Sequence, residues 1–158
     1  MNKIFSKIVI IILILFTTSC SYKPVFSEKN YNFQIDKLIL TGEKDINRVI
    51  NRKFTMIKKS KNLDKKKFSV LINSIKNKKI ISNDSKGDPL KFEIDILVSY
   101  EILENEKIIL EREIEKSNIY NNKSDKFELE QNEKNIITNL SEKISDSIIS
   151  SIINLNDN

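Results

Sequence analysis

Between Leu90 and Ile102 the chain alternates. Leu90, Phe92, Ile94, Ile96, Val98, Tyr100 and Ile102 fall on one side, and Lys91, Glu93, Asp95 and Glu101 stand between them. A period of two sends successive side chains to opposite faces of an extended backbone, so this stretch of about 13 residues is a strand with one apolar and one wet face. A strand of that length is not stable alone. It needs hydrogen-bonding partners along its edges and a second layer over its apolar face, and the remaining chain has to supply both.

The flanking segments have the periods to do so. Tyr31, Phe33 and Ile35 alternate, Leu38, Ile39 and Leu40 close the run, and Thr41-Gly42 ends this first strand. Ile46, Val49, Ile50, Phe54 and Ile57 recur at helical spacing with Arg48, Arg52 and Lys53 turned outward, which predicts an amphipathic helix with Asp45 in its first turn. Lys58, Lys59 and Lys61 fall near its end, where the helix dipole favours them. Phe68, Val70 and Ile72 return to a period of two, so a second strand comes next. Lys76 to Pro89, rich in Lys, Asn, Asp and Ser, breaks the pattern and predicts a long loop or an extended hairpin tip that carries Ile80 and Ile81. After the long strand, Glu104-Asn105-Glu106 makes a tight polar connection. Ile108, Leu110 and Ile114 then resume the alternation, giving an antiparallel hairpin that ends at Asn121, Asn122 and Ser124. Leu129, Ile136, Ile137, Leu140, Ile144, Ile148, Ile152 and Leu155 predict a long amphipathic final helix capped by Ser124 or Asp125. The order is β-α-β-β-β-α. It predicts an α+β two-layer sandwich, a four-stranded, mostly antiparallel sheet packed on one face against two helices.

The N-terminal segment decides where such a domain goes. Lys3 and Lys7 precede an unbroken apolar run, Ile8 to Phe16, and Thr17-Thr18-Ser19 lead to Cys20. A positive start, a short apolar stretch and small residues make a secretory signal peptide. The run is about half of the roughly 20 residues a spanning helix needs. A cysteine at the cleavage point is what a lipoprotein requires, because its thiol accepts a diacylglycerol and its new amine is then acylated. Each buried CH₂ stabilises membrane attachment by about 0.8 kcal/mol, so two or three chains anchor firmly. Thr17 departs from the Leu that the lipoprotein consensus prefers three residues before the cysteine. The alternatives are a plain secretory signal that leaves the thiol free, or a signal anchor retained in the membrane. The expected organisation is a signal peptide over 1–19, a lipidated tether over 20–30 that includes Pro24, and a single α+β domain over 31–158.

Composition narrows function. Cleavage removes Lys3 and Lys7 from 27 basic residues, leaving 25 against 22 acidic, a balance that does not argue for nucleic acid. With no His, one Cys and two Gly, the chain lacks the residues for histidine acid–base chemistry, for a His/Cys metal site and for a glycine-rich phosphate loop. The single cysteine is committed to lipid, so no disulfide holds the domain and its core must. No catalytic residue and no metal ligand set is identified. No cofactor is expected beyond the N-acyl and S-diacylglycerol lipid on Cys20.

Cys20-Ser21-Tyr22-Lys23-Pro24-Val25-Phe26 resembles the start of mature LptE-type proteins, the lipopolysaccharide-assembly lipoproteins. Their acylated cysteine is often followed by a small residue, an aromatic, a basic residue, Pro, an aliphatic and an aromatic. The element order and length are similar too. The resemblance implies an outer-membrane lipoprotein that sits in the lumen of the large β-barrel LptD, helps that barrel assemble and contributes to lipopolysaccharide delivery. It implies binding to a barrel, lipopolysaccharide and a membrane, without catalysis. Another envelope lipoprotein of similar fold, binding an apolar ligand or a different assembly machine, is the alternative.

Three sets of side chains are candidates for contact. Lys76, Lys78, Lys79 and Lys86 place positive charge beside Ile80 and Ile81, a combination that suits the phosphates and acyl chains of lipopolysaccharide, although a Lys-rich chain also makes solvated Lys-rich loops. Tyr22, Pro24 and Phe26 are candidates for docking on the barrel wall, or else form a plain linker. Glu93, Asp95, Glu111, Glu113 and Glu115 offer carboxylates that a glycosidase would pair, but their spacing of two assigns them to the wet sheet face.

Overall fold

A computed structural model of the chain describes residues 32–57 and 65–157. Tyr31, Lys58, Lys59 and Lys61 lie outside these. The elements are β1 (Phe33–Gly42), α1 (Lys44–Ile57), β2 (Lys66–Asn83), β3 (Pro89–Glu104), β4 (Lys107–Asn121) and α2 (Lys126–Asp157). The strands form one sheet in the order β1-β2-β3-β4, with β1 and β2 parallel and the other two pairs antiparallel. This is the predicted α+β two-layer sandwich, and residues 31–158 form one compact unit with its own core. Among the described residues no helix is long and apolar enough to cross a membrane.

The core follows the two periods read from sequence. Phe68, Val70, Ile94, Ile96, Val98 and Ile102 from the sheet meet Ile46, Ile50 and Phe54 from α1 and Ile144, Ile148 and Ile152 from α2, all at 2% exposure or less. Full burial of one such side chain stabilises the fold by about 1.5–3 kcal/mol. Ser141 and Ser145 are also fully buried in α2. Each hydroxyl donates back to a carbonyl one turn earlier, Ile137 at 2.6 Å and Ser141 at 2.7 Å, so these polar atoms are satisfied inside the helix. Tyr100 ties the layers together, its hydroxyl 2.9 Å from that of Ser151.

The turns are chemically specified. Asn105 and Glu106 both have positive φ, 49° and 64°, as a two-residue type I′ hairpin turn requires. Asp125 caps α2, its Oδ1 accepting from the N–H groups of Phe127 at 2.8 Å and Glu128 at 3.2 Å.

Of the two readings open for Lys76 to Pro89, the structure shows the extended hairpin tip: Lys76 to Asn83 is strand, and only residues 84–88 remain as a turn. The Lys and Asn residues of this segment have weak strand preference. Lys76, Lys78 and Ile80 pair with Ile96, Ile94 and Phe92 of β3, and that partner imposes the extended conformation. One difference concerns the sheet face away from the helices, predicted to be wet. Asp95 on that face is only 6% exposed.

Ile96→Asp should cost several kcal/mol, comparable with a domain's whole stability of about 5–15 kcal/mol. Glu111→Gln on the exposed edge strand should shift stability by less than about 0.5 kcal/mol. Thermal unfolding of residues 21–158 checks both, and equal melting temperatures would mean that Ile96 is not on the buried face. A second pair isolates a backbone contact. Gly42 and Gly87 both have φ of 90°, but a Cβ on Gly42 would lie 1.9 Å from the Ser74 carbonyl oxygen, whereas nothing lies within 4 Å at Gly87. Gly87→Ala should cost only left-handed strain of about 1–2 kcal/mol, and Gly42→Ala clearly more. Chemical denaturation of the two variants measures the difference, and equal losses would rule out the close approach.

Candidate functional site

Cys20, Tyr22, Pro24 and Phe26 lie outside the described residues. The four candidate lysines lie within them, and the fold disperses them. Lys76 and Lys78 share the helix-covered face of β2, Lys79 points to the opposite face, and Lys86 sits in the turn after β2.

Three of the four are held by carboxylates. Lys76 Nζ is 3.6 Å from Glu43. Lys78 Nζ is 2.5 Å from Glu133 Oε1 on α2 and 4.5 Å from the centre of the Phe92 ring. Lys79 Nζ is 2.6 Å from Asp95 and 3.5 Å from Glu93. The bond to Asp95, with that carboxylate's charge, raises the Lys79 pKa above its ordinary value. Glu93 and Asp95 therefore share one ammonium. Among the described residues, Lys86 alone of the four has an ammonium outside any ion pair. Its turn is fixed by Asp84, whose Oδ1 accepts from the N–H groups of Lys86 at 2.8 Å and Asp88 at 2.9 Å.

Lys78 belongs to a cluster that sequence reasoning missed. Tyr120 donates to the same Glu133 oxygen at 2.7 Å, and its ring stacks on Phe92 with centroids 5.6 Å apart. Burial, reinforced by the Glu133 carboxylate, pushes the Tyr120 phenol well above its ordinary range. The cluster joins β2, β3, β4 and α2. Its sequence signal was faint: Phe92 and Tyr120 show alternation, but nothing in the chain announces that Glu133 lies opposite them.

Beside Ile80 (54% exposed), Leu90 (49%) is also uncovered at this end of the sheet. A cleft of about 270 Å³ lies elsewhere, between α1 and α2, lined by Arg48, Arg52, Lys134, Val49 and Ile137. Arg48 is paired with Asp45 at 2.7 Å and Arg52 with Glu142 at 3.0 Å.

No protein-family model and no curated protein sequence matches this chain. Solved structures do. The chain is similar to rare lipoprotein B from Shewanella oneidensis, at 16% identity and a TM-score of 0.53 over 76% of this chain and 98% of that one. It is similar to the uncharacterized lipoprotein B from Nitrosomonas europaea, at 15% identity and a TM-score of 0.60 over 83% and 91%. It is also similar to a minor lipoprotein from Acinetobacter baumannii, at 15% identity and a TM-score of 0.50 over 73% and 91%. At such identities the likeness is one of fold, and the chain shares the α+β sandwich of these lipoproteins across nearly all of their length.

Proposed function

We propose that this chain is an envelope lipoprotein of LptE type, anchored in the outer membrane by lipid on Cys20. In this reading it associates with an LptD-type β-barrel, supports that barrel's assembly and assists lipopolysaccharide delivery to the outer leaflet, with no catalysis of its own. One observation carries the reading: a signal sequence ending at Cys20, followed by the SYKPVF run, precedes a domain with the fold of solved lipoproteins. Any lipopolysaccharide contact at the hairpin end then rests on Lys86 with Ile80, Ile81 and Leu90. Lys76, Lys78 and Lys79 already serve carboxylates of the fold.

Fatty-acid labelling should mark the wild type and not Cys20→Ser, because only the thiol accepts the diacylglycerol; equal label would remove the anchor. Affinity purification from detergent-solubilised membranes should recover a large β-barrel in stoichiometric amount, and recovery of a different assembly machine instead would overturn the LptE-type assignment. For the lysines, Lys86→Gln should leave the melting temperature unchanged and weaken lipopolysaccharide binding in a salt-sensitive way, since exposed charges are screened over about 10 Å at 0.1 M. Lys79→Gln should lower the melting temperature, because it leaves Asp95 buried without its partner.

A further inference from the structure

The sheet face opposite the helices is divided lengthwise by chemistry. Pairing lays its side chains out in rows: Ile39, Leu71, Glu101 and Glu111 in one, Thr41, Asn73, Ser99 and Glu113 in the next, then Ile75, Leu97 and Glu115. On the β1–β2 side of these rows Ile39 (36% exposed), Leu71 and Ile75 (45%) are apolar, with the polar pair Thr41 and Asn73 between them. The β4 side is acidic. Glu101, Glu111, Glu113 and Glu115 have no ion-pair partner among the described residues, and Glu113 Oε1 only accepts from Ser99 at 2.8 Å. The two basic residues nearest in sequence, Arg112 and Lys116, project from the other face by the pleat. Glu101 stands directly across from Glu111.

Like charges directly opposite on neighbouring strands destabilise a sheet, so the isolated domain gains nothing from this row. A cation site does not account for it, because residues two apart on a strand are spread about 7 Å along it, and no group of acidic side chains among the described residues is gathered to hold a metal. A second copy pairing through the edge of β4 would set the same carboxylates against each other. An anionic membrane would be repelled. We infer that this face docks against a protein surface that presents Lys or Arg to Glu101, Glu111, Glu113 and Glu115 and apolar side chains to Ile39, Leu71, Ile75 and Leu97. With the LptE-type reading, on which this partner's identity rests, that surface belongs to the barrel. The chemistry of the face stands without it.

The test has two arms. Isotope-labelled residues 21–158 are titrated with a short synthetic peptide alternating Lys and Val, and the amide resonances are monitored. Shifts confined to these rows, lost at high salt and weakened about tenfold or more by Glu111→Lys with Glu113→Lys, are the expected result. The control pair Glu130→Lys with Asp157→Lys changes the net charge equally on α2 and should bind as wild type does. Shifts elsewhere, or equal weakening in both pairs, would overturn the inference. The second arm repeats the barrel co-purification with the full lipidated chain. A barrel recovered by wild type and equally by the Glu111/Glu113 pair overturns the docking face and leaves the proposed function standing. No barrel with wild type, alongside peptide shifts on this face, overturns the proposed function and leaves the face standing.

Discussion

Between Gly42 and Ser74 two backbones come so close that no side chain fits. A Cβ on Gly42 would fall inside the Ser74 carbonyl, and positive φ there turns the chain out of β1 toward α1. Ser74 then holds the first turn of α1 in place. Its carbonyl and its hydroxyl both accept from the N–H of Glu43, at 3.1 and 3.0 Å, and its hydroxyl donates to Asn47 Oδ1 at 2.9 Å. The Asn47 side chain returns a bond to the Thr41 carbonyl at 2.9 Å. These bonds sit at 1% exposure for Ser74, where an unsatisfied polar group costs about 1–3 kcal/mol. They fix the angle at which α1 leaves the sheet, and with it which face of the sheet is covered. The separation of a helix-covered face from an open one, and so the open face's availability to a partner, depends on this junction.

Charge is distributed to suit that division. On the covered side, Lys78 is enclosed by Glu133 and Phe92, and Arg52 and Lys53 on α1 reach Glu142 and Asp146 on α2 at 3.0 Å each. Such exposed helix–helix pairs contribute about 0–1 kcal/mol each, so they set register between the helices more than they hold the layer down. On the open side, Asp95 and Glu93 share the Lys79 ammonium, and among the described residues the β4 carboxylates have no ion-pair partner. β4 itself is an edge strand whose residues are almost all exposed, with Glu and Lys or Arg alternating along it. Charges on an edge oppose uncontrolled strand pairing. That same alternation puts all the acid on one face.

The element order, the covered face and the core were legible because they rest on local periodicity. Phe92 to Ile102 and Ile136 to Ile152 carry enough apolar residues at fixed spacing that no other folding of those segments buries them. The stretch Lys76 to Asn83 was not legible, because its strand conformation comes from β3 opposite and not from its own residues. The dispersal of the four candidate lysines was not legible for a related reason. Lys76, Lys78, Lys79 and Lys86 are neighbours in sequence, but the pleat sends adjacent strand residues to opposite faces, and their counter-ions Glu43, Glu133 and Asp95 come from three other parts of the chain. The acidic rows were half visible. Spacing of two assigned Glu111, Glu113 and Glu115 to one face, but only the register of β3 against β4 reveals Glu101 across from Glu111.

Register also sets the distance over which the molecule works. Phe33, where the first strand begins, pairs with Lys66 at the start of β2, and the turn bearing Lys86 closes the far end of that strand. Eighteen residues at about 3.3 Å each separate the two by roughly 60 Å. The residues preceding Phe33 thus join one end of the sheet, and the exposed Ile80, Leu90 and Lys86 stand at the other. The open face runs the length between these two ends, so side chains that recur every two residues along β2 and β3 repeat over most of the sheet.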